Sequence, residues 1–141
     1  MVNVHACAQA DVPELVRLNR MLIEDEQADN AMTAPELERR MAGFLAGVYR
    51  AFFFNAEGRR AGYALVDLSK SPVYLRQFFI CRDCRRMGYG REALFALLEH
   101  LRVSEIDLDV YAWNSRGLAF WQALGFAERC RGMRFQKQDG Q

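Results

Sequence analysis

The sequence predicts an α/β protein built on a mixed sheet, and three observations carry that prediction. Apolar runs with two-residue alternation recur between segments of helical spacing. Two of the runs, 51–54 and 61–68, flank Asn55-Ala56-Glu57-Gly58, a turn short enough for an antiparallel hairpin. A strand at 74–80 then leads through two glycines, Gly88 and Gly90, into a helix at 91–103. That is the beginning of a crossover to a parallel neighbour. The expected order is β-α-α-β-β-β-α-β-α-β, in one domain over residues 1–141.

Each element has a local reason. Val2, Val4 and Ala6 alternate with Asn3, His5 and Cys7, a first strand. Asp11, Pro13 and Glu14 have the spacing of a helix start with a capping box, and Leu15, Leu18 and Leu22 form its apolar stripe. Thr33-Ala34-Pro35-Glu36 is a second capping box, followed by Leu37, Met41, Phe44, Leu45 and Val48. Beyond the glycines, Leu94, Leu97, Leu98 and Leu101 make an i, i+3, i+4, i+7 stripe. Ile106 to Val110 alternates apolar with acidic, a strand with one packed face. Ser115 can cap a short helix carrying Leu118, Trp121 and Leu124, which Gly125 ends. Residues 126–136 supply the expected last strand.

Composition narrows the function classes. A chain of 141 residues with 51% hydrophobic and 12% aromatic content can bury a sizeable core and is not disordered. A net charge of +1 gives no global field of the nucleic-acid-binding kind, so no nucleic acid is expected as partner. No apolar segment approaches the roughly 20 residues of a membrane span, and the first residues lack a basic signal region. The expectation is a soluble, cytoplasmic protein with no membrane contact. Four cysteines are too sparse for a disulfide scaffold and fit a reducing compartment. Cys81-Arg82-Asp83-Cys84 is a C-x-x-C, but Cys7, Cys130, His5 and His100 show no ligand spacing to complete a metal site, so no metal is expected.

The chemistry concentrates at Arg85-Arg86-Met87-Gly88-Tyr89-Gly90. Glycines at a strand-to-helix junction admit a close ligand, and the free amides and dipole of a helix start attract anions. Arg82, Arg85, Arg86 and Arg91 add positive charge, the signature of a pyrophosphate cradle. A tight turn with a solvated arginine surface is the alternative. In a mixed sheet the ligand is expected where the 74–80 strand and the Ile106 strand part. A second cluster, Glu24, Asp25, Glu26 and Asp29, lies in a stretch from Met21 to Glu38 with no basic residue. It can be a solvated helix end, or it can orient a cationic amine.

At this point the chain resembles the GCN5-related N-acetyltransferases. Arg85, Gly88 and Gly90 match their acetyl-CoA motif, and Gln77-Phe78-Phe79-Ile80 is similar to the strand before it. Asn114, Gly117, Trp121 and Leu124-Gly125-Phe126 match the second motif. The resemblance covers about residues 2–136 and implies the acyl-CoA N-acyltransferase-like fold with acetyl-CoA as co-substrate. By that resemblance, backbone amides from Arg86 through Met87, Gly88, Tyr89 and Gly90 to Arg91 hold the diphosphate. Phe78, Phe79 and Ile80 supply the strand beside the pantetheine, which Phe78 and Ile80 would pair with as an added strand. Asn114 touches the pantetheine, and Phe120 and Trp121 wall the coenzyme. The implied reaction moves acetyl to a primary amine, on a small molecule or a protein, by direct attack in a ternary complex. A homodimer is compatible with such a fold.

The departures from the family pattern bear on the catalytic groups. Trp121 stands where the family often has the tyrosine that protonates the thiolate, and Tyr111 is the nearest substitute in sequence. Arg76 and Gln77 stand where the family often has a strand glutamate as base. Glu26 or Asp109 can take that part, directly or through water. The same departures motivate an alternative, a CoA-binding sensor or interaction module with reduced catalysis.

Overall fold

The computed structural model describes residues 1–85 and 87–140. Strand β1 (Val2–Ala6) is followed by a 3-10 turn at Gln9–Asp11, helix α1 (Val12–Glu26) and helix α2 (Ala34–Ala46). Strands β2 (Tyr49–Ala56), β3 (Arg59–Asp67) and β4 (Val73–Ile80) come next. Helix α3 (Tyr89–Leu101), strand β5 (Ile106–Asp107) and helix α4 (Ser115–Ala123) complete the order. The sheet runs β1-β2-β3-β4-β5, antiparallel except for the parallel β4–β5 edge. The expected mixed sheet, hairpin and crossover are all present.

Register assigns the faces. Phe53, Tyr63 and Phe79 are cross-strand partners, as are Phe52, Ala64 and Phe78, and successive residues point to opposite faces. Asn19 of α1 bonds Tyr63, which puts α1 on the first face. The His100 ring of α3 meets Phe52, and Trp121 of α4 meets Phe78, which puts both of these helices on the second. Strand β3 is therefore covered on both sides and is buried from Ala61 to Asp67. Helix α1 buries Val12, Leu15, Val16, Leu18 and Leu22, and α3 buries Ala93, Leu94 and Leu97. Each fully buried large aliphatic is worth about 1.5–3 kcal/mol against exposure, before the entropy of ordering it.

The helix starts differ from expectation in two cases, at Asp11 and at α4, where Asn114 and not the expected Ser115 is the cap. Thr33 and Glu36 form their capping box, with the Glu36 amide donating to Thr33 Oγ1 at 3.3 Å and the Thr33 amide to Glu36 Oε1 at 3.0 Å. Asp11 does not cap α1; its carboxylate accepts from the Ala8 amide at 2.8 Å, in the 3-10 turn before it. Glu14 pairs with Arg17 instead. The preceding turn competes for the same carboxylate and wins.

The expected last strand is absent among the described residues. No regular structure forms over 126–136, and 127–140 are exposed throughout. Two physical reasons combine. Strand β5 spans only Ile106 and Asp107, shorter than the expected 106–110, so it offers almost no edge to pair with. Residues 128, 129, 131 and 134 are charged, and Glu128 and Arg131 pair locally, so the segment has no clean apolar face.

Candidate active site

Strand β5 meets β4 only at Val73–Ile106 and Tyr74–Asp107. From Leu75 onward β4 has β3 on one side and no strand on the other. The Cys81 amide donates to Ala61 O at 2.7 Å, so the hydrogen-bonded pairs with β3 fall at Cys81 and Phe79. Phe78 and Ile80 then direct their main-chain groups to the open side. A cleft of about 430 Å³ lies there. Phe78, Phe79 and Ile80 line it from β4, Asp25 and Glu26 from α1, Gly88, Gly90 and Arg91 from α3, and Asn114, Phe120 and Trp121 from α4. Two motifs far apart in sequence thus meet across one opening.

The glycine junction is shaped by two separate constraints. Gly88 has φ +78°, a left-handed conformation that side chains avoid, and it leads directly into α3. Gly90 has ordinary backbone, but a Cβ there would sit 3.0 Å from the Phe120 ring. The first glycine sets the turn and the second lets α3 approach α4. Tyr89 between them is buried and turns inward, whereas Met87 is exposed. Arg86, expected in the cradle, lies outside the described residues.

The arginines are not equivalent. Arg85 donates through Nε to Ile80 O at 2.9 Å and through Nη2 to Asp25. Arg82 also bonds Asp25, through Nε at 3.1 Å and Nη2 at 2.7 Å. Their charge is therefore largely spent on Asp25, and the expected ring of positive charge at the junction is smaller than the sequence suggested. Burial pushes the Asp25 carboxyl up, but these hydrogen bonds outweigh it and hold the group below the usual carboxylate range. Arg91 is left toward the cleft, its guanidinium 5.0 Å over Phe95. The result is a loop fastened by its side chains to the end of α1.

Helix α4 supplies the opposite wall. Asn114 caps it by accepting from the Gly117 amide at 3.0 Å, and a Cβ at Gly117 would lie 2.4 Å from Asn114 Nδ2. The motif spacing is thus a capping constraint. Phe120, Trp121 and Phe126 form a run of tilted rings against Phe78, with Trp121 at 5.1 Å from both Phe78 and Phe126.

Of the candidate catalytic residues, Glu26 and Asp109 line the cleft and Tyr111 does not. Glu26 ends α1, half-buried, and burial followed by repulsion from Asp25 raises its carboxyl above the ordinary range. Asp109 accepts from the Tyr74 hydroxyl at 2.7 Å. Tyr111 stacks on Trp113 at 4.7 Å, 40% exposed, while the Trp113 indole donates to Glu26 O at 3.0 Å. Sequence reading missed Arg76, Leu75, Leu108 and Arg116, which also line the cleft. Arg76 is the extra residue of a β-bulge: Leu65 pairs with Gln77 and Val66 with Leu75. Nothing in the sequence marks that bulge.

Burial pushes the Cys81 and Cys84 thiols up, which makes them poor nucleophiles and opposes a redox role. Among the described residues no group of three or more His, Cys, Asp or Glu side chains could hold a metal ion, and no helix is long and apolar enough to cross a membrane.

Comparison with known proteins agrees with this geometry. Residues 15–126 match the acetyltransferase (GNAT) family, which covers most of the chain. The protein belongs to that family. Among curated relatives, the ribosomal protein bS18-alanine N-acetyltransferase of Escherichia coli K12 is 28% identical over 97 residues. That match covers 67% of this chain and 66% of the relative, so the chain spans about two thirds of the relative's length. Solved structures share the fold at lower identity. A predicted acetyltransferase from Clostridium acetobutylicum, solved with acetyl-CoA, has a TM-score of 0.73 at 15% identity, covering 96% of each chain. An aminoglycoside N-acetyltransferase in complex with CoA has a TM-score of 0.76 at 18% identity, covering 98% of this chain and 95% of that one.

Proposed function

We propose that residues 1–141 act as one cytoplasmic N-acetyltransferase domain, with acetyl-CoA held along the open edge of β4 and a primary amine attacking its thioester directly. The observation that carries this reading is the single cleft that joins the glycine junction, the edge of β4 that no strand pairs, where Arg85 holds the Ile80 carbonyl, and Glu26. The diphosphate lies at the start of α3, where amides and dipole favour an anion. The pantetheine runs along Phe78 and Ile80 as an added strand, and Asn114, Phe120 and Trp121 close the other side. The amine nitrogen bonds to the acyl carbon, the C–S bond breaks, and the coenzyme A thiolate leaves.

Glu26 is the base in this reading, directly or through one water. A carboxyl raised by burial accepts a proton more readily near neutral pH than an ordinary one. Asp109, fixed by Tyr74, orients the amine from the β5 side. Tyr111 lies off the cleft, so it is not assigned the protonation of the thiolate. The acceptor is an amine on a small molecule or a protein, and a homodimer is compatible with such a fold. Sedimentation equilibrium tests the assembly.

The test of the chemistry is Glu26→Gln, followed by thiol release. The wild-type rate should rise with pH through a carboxyl value above the ordinary glutamate range, and this acid limb should disappear in the variant along with about 10²-fold or more of kcat/KM. Stability moves the other way. A raised folded-state value means that Glu26 costs stability once deprotonated, so the variant should melt higher than wild type at neutral pH and equally in acid. An unchanged pH profile removes Glu26 as base. A protein that binds coenzyme A yet turns over no amine above hydrolysis would be a sensor.

A further inference from the structure

A chain of polar side chains crosses the core without an evident structural need. Asn19, Tyr63 and Gln77 are 2%, 0% and 8% exposed. Tyr63 donates to Gln77 Oε1 at 2.8 Å and accepts from Asn19 Nδ2 at 3.1 Å. Asn19 Oδ1 accepts in turn from Arg40 Nη2 at 3.1 Å. Every donor points the same way, and the chain ends at one guanidinium on α2. Three apolar side chains would fill this space more cheaply, since buried polar groups gain little even when satisfied. The network does one thing an apolar core cannot do: it holds Arg40 in a fixed position.

Arg76 arrives beside it by a different route. It is the extra residue of the β4 bulge and lines the cleft from the strand where β4 and β5 part. The Arg40 and Arg76 guanidinium carbons lie 5.5 and 4.9 Å from the centroid of the same Phe44 ring. Arg17, Arg59, Arg82, Arg85, Arg131 and Arg134 each have a carboxylate within ion-pair distance. Among the described residues, Arg40 and Arg76 have none, nor do Arg91 and Arg116 of the cleft lining, but Arg40 and Arg76 share one aromatic ring. Arg76 reaches only the Tyr49 hydroxyl, at 3.4 Å. Arg40 is half-buried and Arg76 exposed, and burial followed by the nearby Arg76 charge lowers the pKa of Arg40. An anion between them would relieve both.

We propose that Arg40 and Arg76 form a carboxylate-binding subsite on the acceptor side of the cleft, so that the amine this enzyme acetylates carries a carboxylate of its own. The forked guanidinium fits a carboxylate in two-point contact. Glu26 and Arg76 line the same cleft, so the reacting nitrogen is set toward Glu26 and the carboxylate toward Arg76. The inference rests on the acetyl-transfer reading and names its substrate class: a free amino acid, or a peptide with an acidic residue near the reacting amine.

Matched acceptors test it. Glycine, 4-aminobutanoate and 6-aminohexanoate are compared with their carboxamides, and the dipeptide Gly-Glu with Gly-Gln. Thiol release gives kcat/KM, and calorimetry on the CoA-saturated protein gives Kd for the same compounds. The expected result is an acid that outperforms its amide by about tenfold or more, the scale of one charge-assisted hydrogen bond. That ratio should collapse in Arg40→Gln and in Arg76→Gln and survive in part in Arg40→Lys, with the coenzyme A melting shift reporting that the variants fold. A preference confined to the free amino acids, or to the dipeptide, identifies the source of the carboxylate. Amides turned over as well as acids would overturn the subsite and leave the transfer reading intact. Tighter binding of acids with no turnover would leave the subsite standing and overturn the transfer reading. Equal binding with no turnover would overturn both.

Discussion

The molecule divides at Leu97. Before it lie all the buried residues of the described chain, from Val2 to Leu97; after it no described residue is buried. The cleft is built across this divide. Its floor, β4 with α1 and the start of α3, belongs to the packed part, whereas its far wall, α4 with its aromatic rings, is half-exposed and held by one cap and the contacts with Phe78. Precise groups are placed on the rigid side: the free edge of β4, the Gly88 turn and Glu26. The wall that in the proposed function admits and releases the coenzyme is on the loose side, where opening costs little.

The largest effect expected from this contrast is at Gly62, on the packed side. A Cβ there would lie 1.8 Å from Phe79 O, so Gly62→Ala has to force β3 and β4 apart. The variant should lose at least about 3 kcal/mol in urea unfolding. A loss under 1 kcal/mol would show that the floor of the cleft is softer than its burial implies.

An intermediate effect is expected at Asp25, where α1 fastens the loop that the proposed function gives to the diphosphate. Asp25→Asn should raise KM for acetyl-CoA by roughly tenfold, the scale of a lost charged hydrogen bond, with a smaller effect on KM for the amine. The sign with pH follows from its depressed carboxyl value. Its stabilisation is present above the ordinary aspartate value and lost as pH falls through the lower folded-state one. The melting difference between wild type and variant should therefore close in acid. A difference that persists there would mean that the carboxylate charge is not what holds the loop.

The smallest effect is expected in the exposed tail. Met133 and Phe135 are 95% and 85% exposed, so the double change to Ser should alter unfolding by no more than about 0.5 kcal/mol in the monomer. A larger loss that depends on protein concentration would assign these residues to a subunit contact.

The legible parts of the fold were those with local causes. The Thr33 box, the turn within 55–58 and the leucine stripe of α3 each follow from residues a few positions apart, and each formed, whereas the cap expected of Ser115 is made by its neighbour Asn114. The Asp11 cap failed because two turns competed for one carboxylate, and the 126–136 strand failed because pairing needs a partner that the segment itself cannot supply. The site was read in the same proportion. The glycine junction and the second motif were visible as spacings, and Glu26 as one of an acidic cluster. Arg76, placed by a bulge, was not.

The sequence by itself determined the elements, their order and the two motifs, because periodicity, capping and glycine conformation act over a few residues. Tertiary structure alone decided which charges are spent and which remain available. Asp25 silences Arg82 and Arg85 from 57 and 60 positions away, while a core network and a bulge leave Arg40 and Arg76 without a carboxylate. Electrostatic pairing depends on distance in space, and spacing along the chain does not encode it once helices and strands have folded back on one another.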